Sequence, residues 1–258
     1  MGKQERTTYK AGRLVYTSEH PQRPDAPRER RAKQSPSSYA RQVLNFNRAW
    51  QDLELLLAAN FGQRDWFLTF TYDDAHLPPD RAGSQREFTN FLARLKRWTR
   101  KTGHELRYVY TTEEMPDEPG LPRRLHHHAV IGGDGLDPET IQAIWGRGMV
   151  HAQPFLDGAH DIYETRARYM VKERHPGQPG RKTGLRAWSA SRNLTRPQPE
   201  TELIPEGLTV CPPPGAYILD HREEVNSFGR FRYYKYLLPI EPDAPPDDPP
   251  LPIFLALR

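Results

Sequence analysis

The chain has 258 residues, a net charge of +4 and a pI near 9.1. It contains no apolar run of about 18 residues, and no apolar stretch follows its charged first residues, so we expect neither a membrane span nor a secretory signal. A single cysteine, Cys211, excludes an internal disulfide and a Cys-type zinc site. These features predict a cytoplasmic protein. The low hydrophobic share of 36% indicates that only part of the chain builds a core.

Composition divides the chain into three segments. Residues 1–38 are polar and Arg-rich, which predicts a basic, disordered arm. Residues 239–258 form a Pro/Asp-rich tail that can hold neither a sheet nor a helix. The folded domain is therefore expected over residues 39–238. Within it, residues 161–200 carry 9 Lys/Arg against 4 Asp/Glu and form a basic block.

The first elements of this domain are predicted from hydrophobic periodicity. Apolar residues at helical spacing predict a helix over 39–60. A run of β-branched and aromatic residues predicts a strand over 66–72. A Ser-x-x-Glu capping box at Ser84 then predicts the start of a second helix, which ends near Gly103.

The order of the following elements indicates the fold class. Two strands that can form a hairpin, a helix, a strand and a helix are predicted at 106–113, 125–131, 137–146, 149–155 and 160–174. The resulting order β-α-β-β-α-β-α is that of a ferredoxin-like α+β domain, a central antiparallel sheet flanked by helices. Further strands are expected at 216–219 and 228–238.

Three consecutive histidines lie in the second strand of the hairpin. Because alternate side chains of a strand face opposite sides, His126 and His128 project together and His127 faces the core. Two imidazoles spaced in this way can bind a divalent metal ion, although structural or surface histidines would have the same pattern. A third ligand would come from the preceding strand, which ends in Glu113 and Glu114, and only one of that pair can face the histidines.

A tyrosine on the last predicted helix lies on the wrong side for core packing. At about 100° per residue, Tyr169 falls on the polar face, beside Lys172 and one turn from Arg166. Packing is the usual role of a helical tyrosine. A neighbouring cation, however, favours the phenolate and would assist its attack on a phosphate.

Basic and aromatic residues surround this helix, and we predict that they contact DNA: Arg166, Arg168, Arg181, Lys182, Arg186 and Trp188. Such a mixture suits a single strand, whose bases stack on aromatic rings and whose phosphates need cations. An ordinary solvated surface is the alternative. The chain has no P-loop, so no ATP-driven motor is encoded.

The ordered combination of His-x-His and Tyr-x-x-Lys resembles the HUH superfamily of single-strand endonucleases. It is most similar to the one-tyrosine replication initiators of rolling-circle plasmids, small phages and integrative elements. The resemblance implies that His126, His128 and Glu113 hold Mg²⁺ or Mn²⁺ and that Tyr169 is the nucleophile, accompanied by Lys172.

The resemblance covers about residues 64–200 and departs from the family pattern at His127, where a bulky apolar residue is usual. It implies a metal-dependent, sequence-specific DNA nickase and strand transferase that starts rolling-circle replication through a 5′-phosphotyrosine. The expected partners are single-stranded or hairpin origin DNA, with a host helicase and polymerase. The alternatives are a relaxase or single-tyrosine transposase of the same superfamily, and a non-catalytic, RRM-like nucleic-acid-binding module.

Overall fold

The computed structural model of the chain describes residues 3–22, 38–114, 124–156, 158, 160–177, 186–205, 208 and 211–239. The elements in these ranges are, in chain order, β1 (Lys3–Ala11), β2 (Leu14–Pro21), α1 (Tyr39–Asn60), β3 (Trp66–Phe70), α2 (Arg81–Lys101), β4 (Tyr108–Glu113), β5 (His126–Ile131), α3 (Pro138–Trp145), β6 (Val150–Pro154), α4 (Ile162–Met170), β7 (Ser189–Ala190), β8 (Glu200–Pro205), β9 (Tyr217–Asn226) and β10 (Gly229–Leu237). A 3₁₀ turn, Lys172–Arg174, follows α4. None of the described helices is both long and apolar enough to cross a membrane.

The chain forms two compact units. The first comprises the described residues up to Asn60 and those from Thr195 onward, and the second comprises Phe61–Leu194. The second unit therefore corresponds closely to the region of family resemblance. The single folded domain predicted over 39–238 differs from this division, because α1 and the last strands join the beginning of the chain.

The first unit is a five-stranded antiparallel sheet in the order β8-β1-β2-β10-β9, with α1 against β1 and β2. Charged residues pair directly across all five strands, in alternating sign, in the row Glu202, Arg6, Glu19, Arg232 and Glu223. The turn between β1 and β2 needs Gly12, whose φ is +55° and whose Cβ position lies 2.7 Å from the Ala58 carbonyl oxygen.

These strands correct the prediction of a disordered arm over 1–38, since residues 3–21 form β1 and β2. The prediction failed because the polar side chains that suggested disorder are satisfied by residues far away in the chain. Arg6 Nη1, for example, lies 3.0 Å from Glu202 Oε1, and Arg232 Nη1 lies 3.4 Å from Glu19 Oε2. Residues 23–37 and 240–258, which include most of the predicted tail, lie outside the described residues.

The second unit contains a five-stranded antiparallel sheet in the order β6-β3-β5-β4-β7, flanked by helices. Its first four strands in sequence are arranged fourth, first, third and second, and β7 adds an edge beside β4. The predicted ferredoxin-like α+β class and the predicted hairpin of β4 and β5 are confirmed. The helix predicted over 160–174 is shorter, since α4 ends at Met170 and a 3₁₀ turn continues it.

The start of α2 differs from the predicted capping box. Asp80 is the N-cap, and its carboxylate accepts a hydrogen bond of 2.6 Å from the Gly83 N–H. Ser84 lies inside the first turn, where it is fully buried and its hydroxyl contacts His127. The predicted ends of α3 are confirmed, with Asp137 as N-cap and Gly146 in the left-handed conformation at the C-cap.

The core of this unit lies between the sheet and the helices α2 and α3. It is unusually aromatic, and its central rings are those of Phe70, Phe88, Phe91 and Trp145. The ring of Phe70 lies 5.0–5.3 Å from the rings of Phe88, Phe91 and Trp145. This packing leaves the opposite face of the sheet to α4 and the polar residues of the candidate site.

Candidate active site

The three histidines of β5 alternate across the sheet as predicted. His127 is fully buried and stacks on Phe88 with a centroid distance of 4.2 Å. Its Nε2 lies 2.9 Å from the Tyr72 hydroxyl and 3.0 Å from the Ser84 hydroxyl. Burial lowers the pKa of His127 well below its usual value, so this residue is a neutral part of the core.

Strand pairing decides which acidic residue joins the other two histidines. β4 pairs with β5 so that Glu113 is directly opposite His126. Glu113 Oε2 lies 3.1 Å from His128 Nε2 and 3.6 Å from His126 Nε2. These three residues are buried, and one possible ligand atom from each lies within 4.8 Å of the others. The structure thus brings Glu113, and not Glu114, to the histidine pair.

The ionisation of this group suits a divalent cation. Burial raises the pKa of Glu113, but the adjacent side chains of His126 and His128 and the charge of Lys172 outweigh that effect and lower the pKa to about 2. Burial also lowers the pKa of His128, which the hydrogen bond to Glu113 opposes. At neutral pH the site therefore holds a carboxylate and a neutral imidazole, the forms that bind metal ions.

Hydrogen bonds to the other ring nitrogens orient the two imidazoles. His126 Nδ1 donates to the Arg124 carbonyl oxygen at 2.9 Å, which places the lone pair on Nε2. His128 Nδ1 lies 3.0 Å from the Thr69 hydroxyl. Two imidazoles and a carboxylate with one possible ligand atom each within 4.8 Å of the others form a set of the kind that binds divalent metal ions and leaves positions open. The residues present thus fit such an ion.

Tyr169 lies directly beside this group. Ile162, Ala167 and Met170 are buried on the core side of α4, whereas Tyr169 is 37% exposed. Its ring packs edge-on against His128, with 4.7 Å between the centroids. The prediction that Tyr169 lies on the side of α4 that faces away from the core is therefore confirmed.

Lys172 connects the tyrosine to Glu113. Its Nζ lies 3.9 Å from the centre of the Tyr169 ring and 3.3 Å from Glu113 Oε1. Burial lowers the pKa of Lys172, but the Glu113 carboxylate and Tyr169 more than compensate, so the pKa is raised. Lys172 is thus held in its charged form against the ring of Tyr169.

One protein-family model matches the segment that contains this geometry. Residues 65–174 match the family model of the replication-associated protein ORF2/G2P. The predicted relationship to replication-associated proteins is confirmed, and with it a role in DNA replication is supported. No curated protein and no solved structure matches the chain.

The segment that matches this family model contains the whole group formed by Glu113, His126, His128, Tyr169 and Lys172. Two of the residues predicted to contact DNA, Arg166 and Arg168, lie on α4. Arg166 lies over the Phe67 ring at 4.3 Å, one turn before Tyr169, while Arg168 pairs with Glu164 on the same helix.

Other predicted DNA contacts lie farther along the chain. Arg186 is exposed and Trp188 is half-buried. Arg181 and Lys182 lie outside the described residues. The contact of these four residues with DNA stays a prediction.

Four residues that support the site were not predicted from the sequence: Phe67, Thr69, Arg81 and Glu173. Phe67 stacks on His128 at 6.1 Å and packs edge-on against Tyr169 at 6.0 Å. The alternation of β3 could have identified Phe67 and Thr69, because Leu68 and Phe70 face the core. No local pattern identifies Arg81 and Glu173, which are 92 positions apart and form an ion pair.

Proposed function

We propose that this protein is a metal-dependent, sequence-specific nickase and strand transferase for single-stranded DNA that initiates rolling-circle replication. The observation that carries the proposal is the contact of Tyr169 with His128, a member of a buried Glu-His-His group. The family match supports the replication role, and the arrangement of side chains supports the HUH type of chemistry.

Glu113, His126 and His128 would hold the metal ion, and Mg²⁺ or Mn²⁺ at this position would polarise the scissile phosphate and offset its charge. Glu113 contributes a full negative charge, because its pKa is lowered to about 2. Thr69 and the Arg124 carbonyl hold the two imidazoles in orientation.

Tyr169 would act as the nucleophile. Its Oη attacks phosphorus, a bond forms between the tyrosine oxygen and phosphorus, and the bond from phosphorus to the 3′ oxygen breaks. The phenolic proton is released, and the leaving 3′ oxygen takes up a proton to become a free hydroxyl. Lys172, held over the Tyr169 ring, would offset charge on the phosphate.

This chemistry retains the energy of the phosphodiester in the tyrosine–DNA bond, so strand rejoining needs no ATP. A host polymerase would extend the free 3′-hydroxyl, and a host helicase would unwind the duplex. Arg166, which lies over Phe67 and one turn from Tyr169, would bind a phosphate of the same strand.

The proposal is tested by trapping the covalent product. The protein is mixed with Mn²⁺ and a randomised pool of single-stranded oligonucleotides labelled at the 3′ end, and the products are separated on a denaturing gel. We expect a labelled protein–DNA adduct whose sequenced DNA reveals the preferred site. Tyr169→Phe should form no adduct, whereas Tyr163→Phe, on the same helix, should react normally.

Two results would contradict the proposal. Equal adduct formation by Tyr169→Phe would show that another residue is the nucleophile. Retained binding of single strands without any adduct would favour the non-catalytic module.

A further inference from the structure

An ion pair outside the metal-binding group connects three segments around it. Glu173 lies in the 3₁₀ turn directly after Lys172. Both of its carboxylate oxygens accept hydrogen bonds from Arg81 Nη1, at 3.2 and 2.9 Å. The same carboxylate accepts a bond of 3.0 Å from the backbone N–H of Glu114. The ion pair is well shielded, with side-chain exposures of 14% for Arg81 and 17% for Glu173.

Arg81 extends this connection to the strand that carries the acidic ligand. It is the first residue of α2, and its Nη2 donates to the Thr112 carbonyl oxygen. Thr112 and Glu114 are the two neighbours of Glu113 in the chain. The Arg81–Glu173 pair therefore contacts the backbone on both sides of Glu113. It joins this end of β4 to the turn that follows α4.

The contacts of Tyr169 itself do not fix its position as strictly. Its ring meets His128 and Phe67 edge-on, at centroid distances of 4.7 and 6.0 Å, and such ring contacts are weak beside charge-assisted hydrogen bonds. Charge-assisted hydrogen bonds in a shielded site are short, directional and about twice as strong as neutral ones. The pair formed by Arg81 and Glu173 thus supplies the directional restraint between the turn and β4.

We infer that Glu173 and Arg81 are positioning residues, which hold Tyr169 and Lys172 in register with Glu113; this inference rests on the proposed function. Neither residue touches the reacting atoms. They hold the turn Lys172–Arg174 against the end of β4, and this turn directly follows α4. A misplacement of about 1 Å in a reacting group costs about a hundredfold in rate, so loss of this restraint should be visible in catalysis.

The test compares Glu173→Ala with Glu173→Gln in the full-length protein. We measure the rate constant of adduct formation at saturating oligonucleotide and Mn²⁺, and separately the affinities for Mn²⁺ and for the oligonucleotide. Glu173→Ala should lower the rate constant about tenfold to a hundredfold and leave both affinities within about twofold. Glu173→Gln should restore part of the rate, because its amide oxygen still accepts hydrogen bonds from Arg81 and Glu114.

Glu87→Ala is the matched control. It removes another Glu–Arg pair of the same unit, in which Arg147 Nε lies 3.3 Å from Glu87 Oε2, and should leave the rate unchanged. The inference is overturned if Glu173→Ala reacts at the wild-type rate. It is also overturned if Glu173→Gln is no faster than Glu173→Ala, or if the Mn²⁺ affinity falls in parallel with the rate.

Hydrogen exchange separates this inference from the proposed function. If the wild-type protein forms no adduct, the proposed function fails, but the restraint can still be measured. Glu173→Ala should then accelerate amide exchange in residues 162–174 and leave α3 unchanged. Equal exchange of residues 162–174 in the variant and the wild type would overturn the inference.

Discussion

Lys172 Nζ lies 3.3 Å from Oε1 of Glu113, the oxygen opposite the one that faces the two histidines. The carboxylate therefore stands between two cation positions, one occupied by the lysine and one available to a metal ion. The two positive charges would share one carboxylate, so each weakens the binding of the other.

Replacing the lysine should therefore separate metal binding from catalysis. Lys172→Met removes the competing charge, so we expect it to bind Mn²⁺ a few-fold more tightly at low salt, although the rate of adduct formation falls. The free Mn²⁺ signal in electron paramagnetic resonance measures the affinity. Lys96→Met, an exposed lysine on α2, should change neither quantity. Unchanged or weaker Mn²⁺ binding by Lys172→Met would contradict this description of the site.

The hydroxyl of Thr69 provides a second test of the proposed metal site. It lies 3.0 Å from His128 Nδ1, and Thr69→Val removes this contact with little change in side-chain volume. Such outer contacts are worth about tenfold to a hundredfold in metal affinity, so Mn²⁺ binding should weaken by that factor. Calorimetric titration measures the loss.

Two variants serve as controls for Thr69→Val. Thr69→Ser should restore most of the affinity, because it returns the hydroxyl. Thr89→Val, on the exposed side of α2, should have no effect. If Thr69→Val binds Mn²⁺ as tightly as the wild type, the Thr69 hydroxyl does not orient His128.

The residues that sequence analysis identified are those whose positions depend on local periodicity. The two-residue repeat of β5 separates His126 and His128 from His127, and the helical repeat of α4 separates Tyr169 from the core side. The choice between Glu113 and Glu114 needed the register of β4 against β5, which no local pattern specifies.

Features that join distant parts of the chain could not be predicted in this way. The strands β1 and β2 look disordered in sequence because their charged partners lie on β8 and β10. Arg6 and Glu202, for instance, pair across 196 positions. Local propensity contains no information about such partners, and the same reason hid the pairing of Arg81 with Glu173.

The buried His127 predicts a specific dependence of stability on pH. Its pKa lies well below 6.5 in the folded protein because of burial, whereas the unfolded chain binds a proton near 6.5. Below pH 6.5 protonation therefore favours the unfolded state, and the contribution of His127 to stability, complete above that pH, is lost as the pH falls towards the folded pKa. The expected slope is at most about 1.4 kcal/mol per pH unit for this group.

His127→Phe should remove this contribution. In urea unfolding of the metal-free protein, the variant should lose less free energy of unfolding than the wild type as the pH falls from about 6.5 to 5. His104→Gln, at an exposed position, should keep the wild-type slope. Equal slopes for His127→Phe and the wild type would show that His127 is accessible to protons in the folded state.

Arg166 is expected to contribute to DNA binding. The Arg166 guanidinium lies over the Phe67 ring at 4.3 Å, one turn before Tyr169, so a strand that reaches the tyrosine should pass its charge. Each phosphate neutralised in a single strand contributes about 0.7 to the slope of log affinity against log salt. Arg166→Ala should therefore reduce the magnitude of that slope by about 0.7 and weaken binding most at low salt. Fluorescence anisotropy with a labelled oligonucleotide measures both quantities. Arg100→Ala, exposed at the end of α2, should retain the full slope, and an unchanged slope in Arg166→Ala would place the strand elsewhere on the protein.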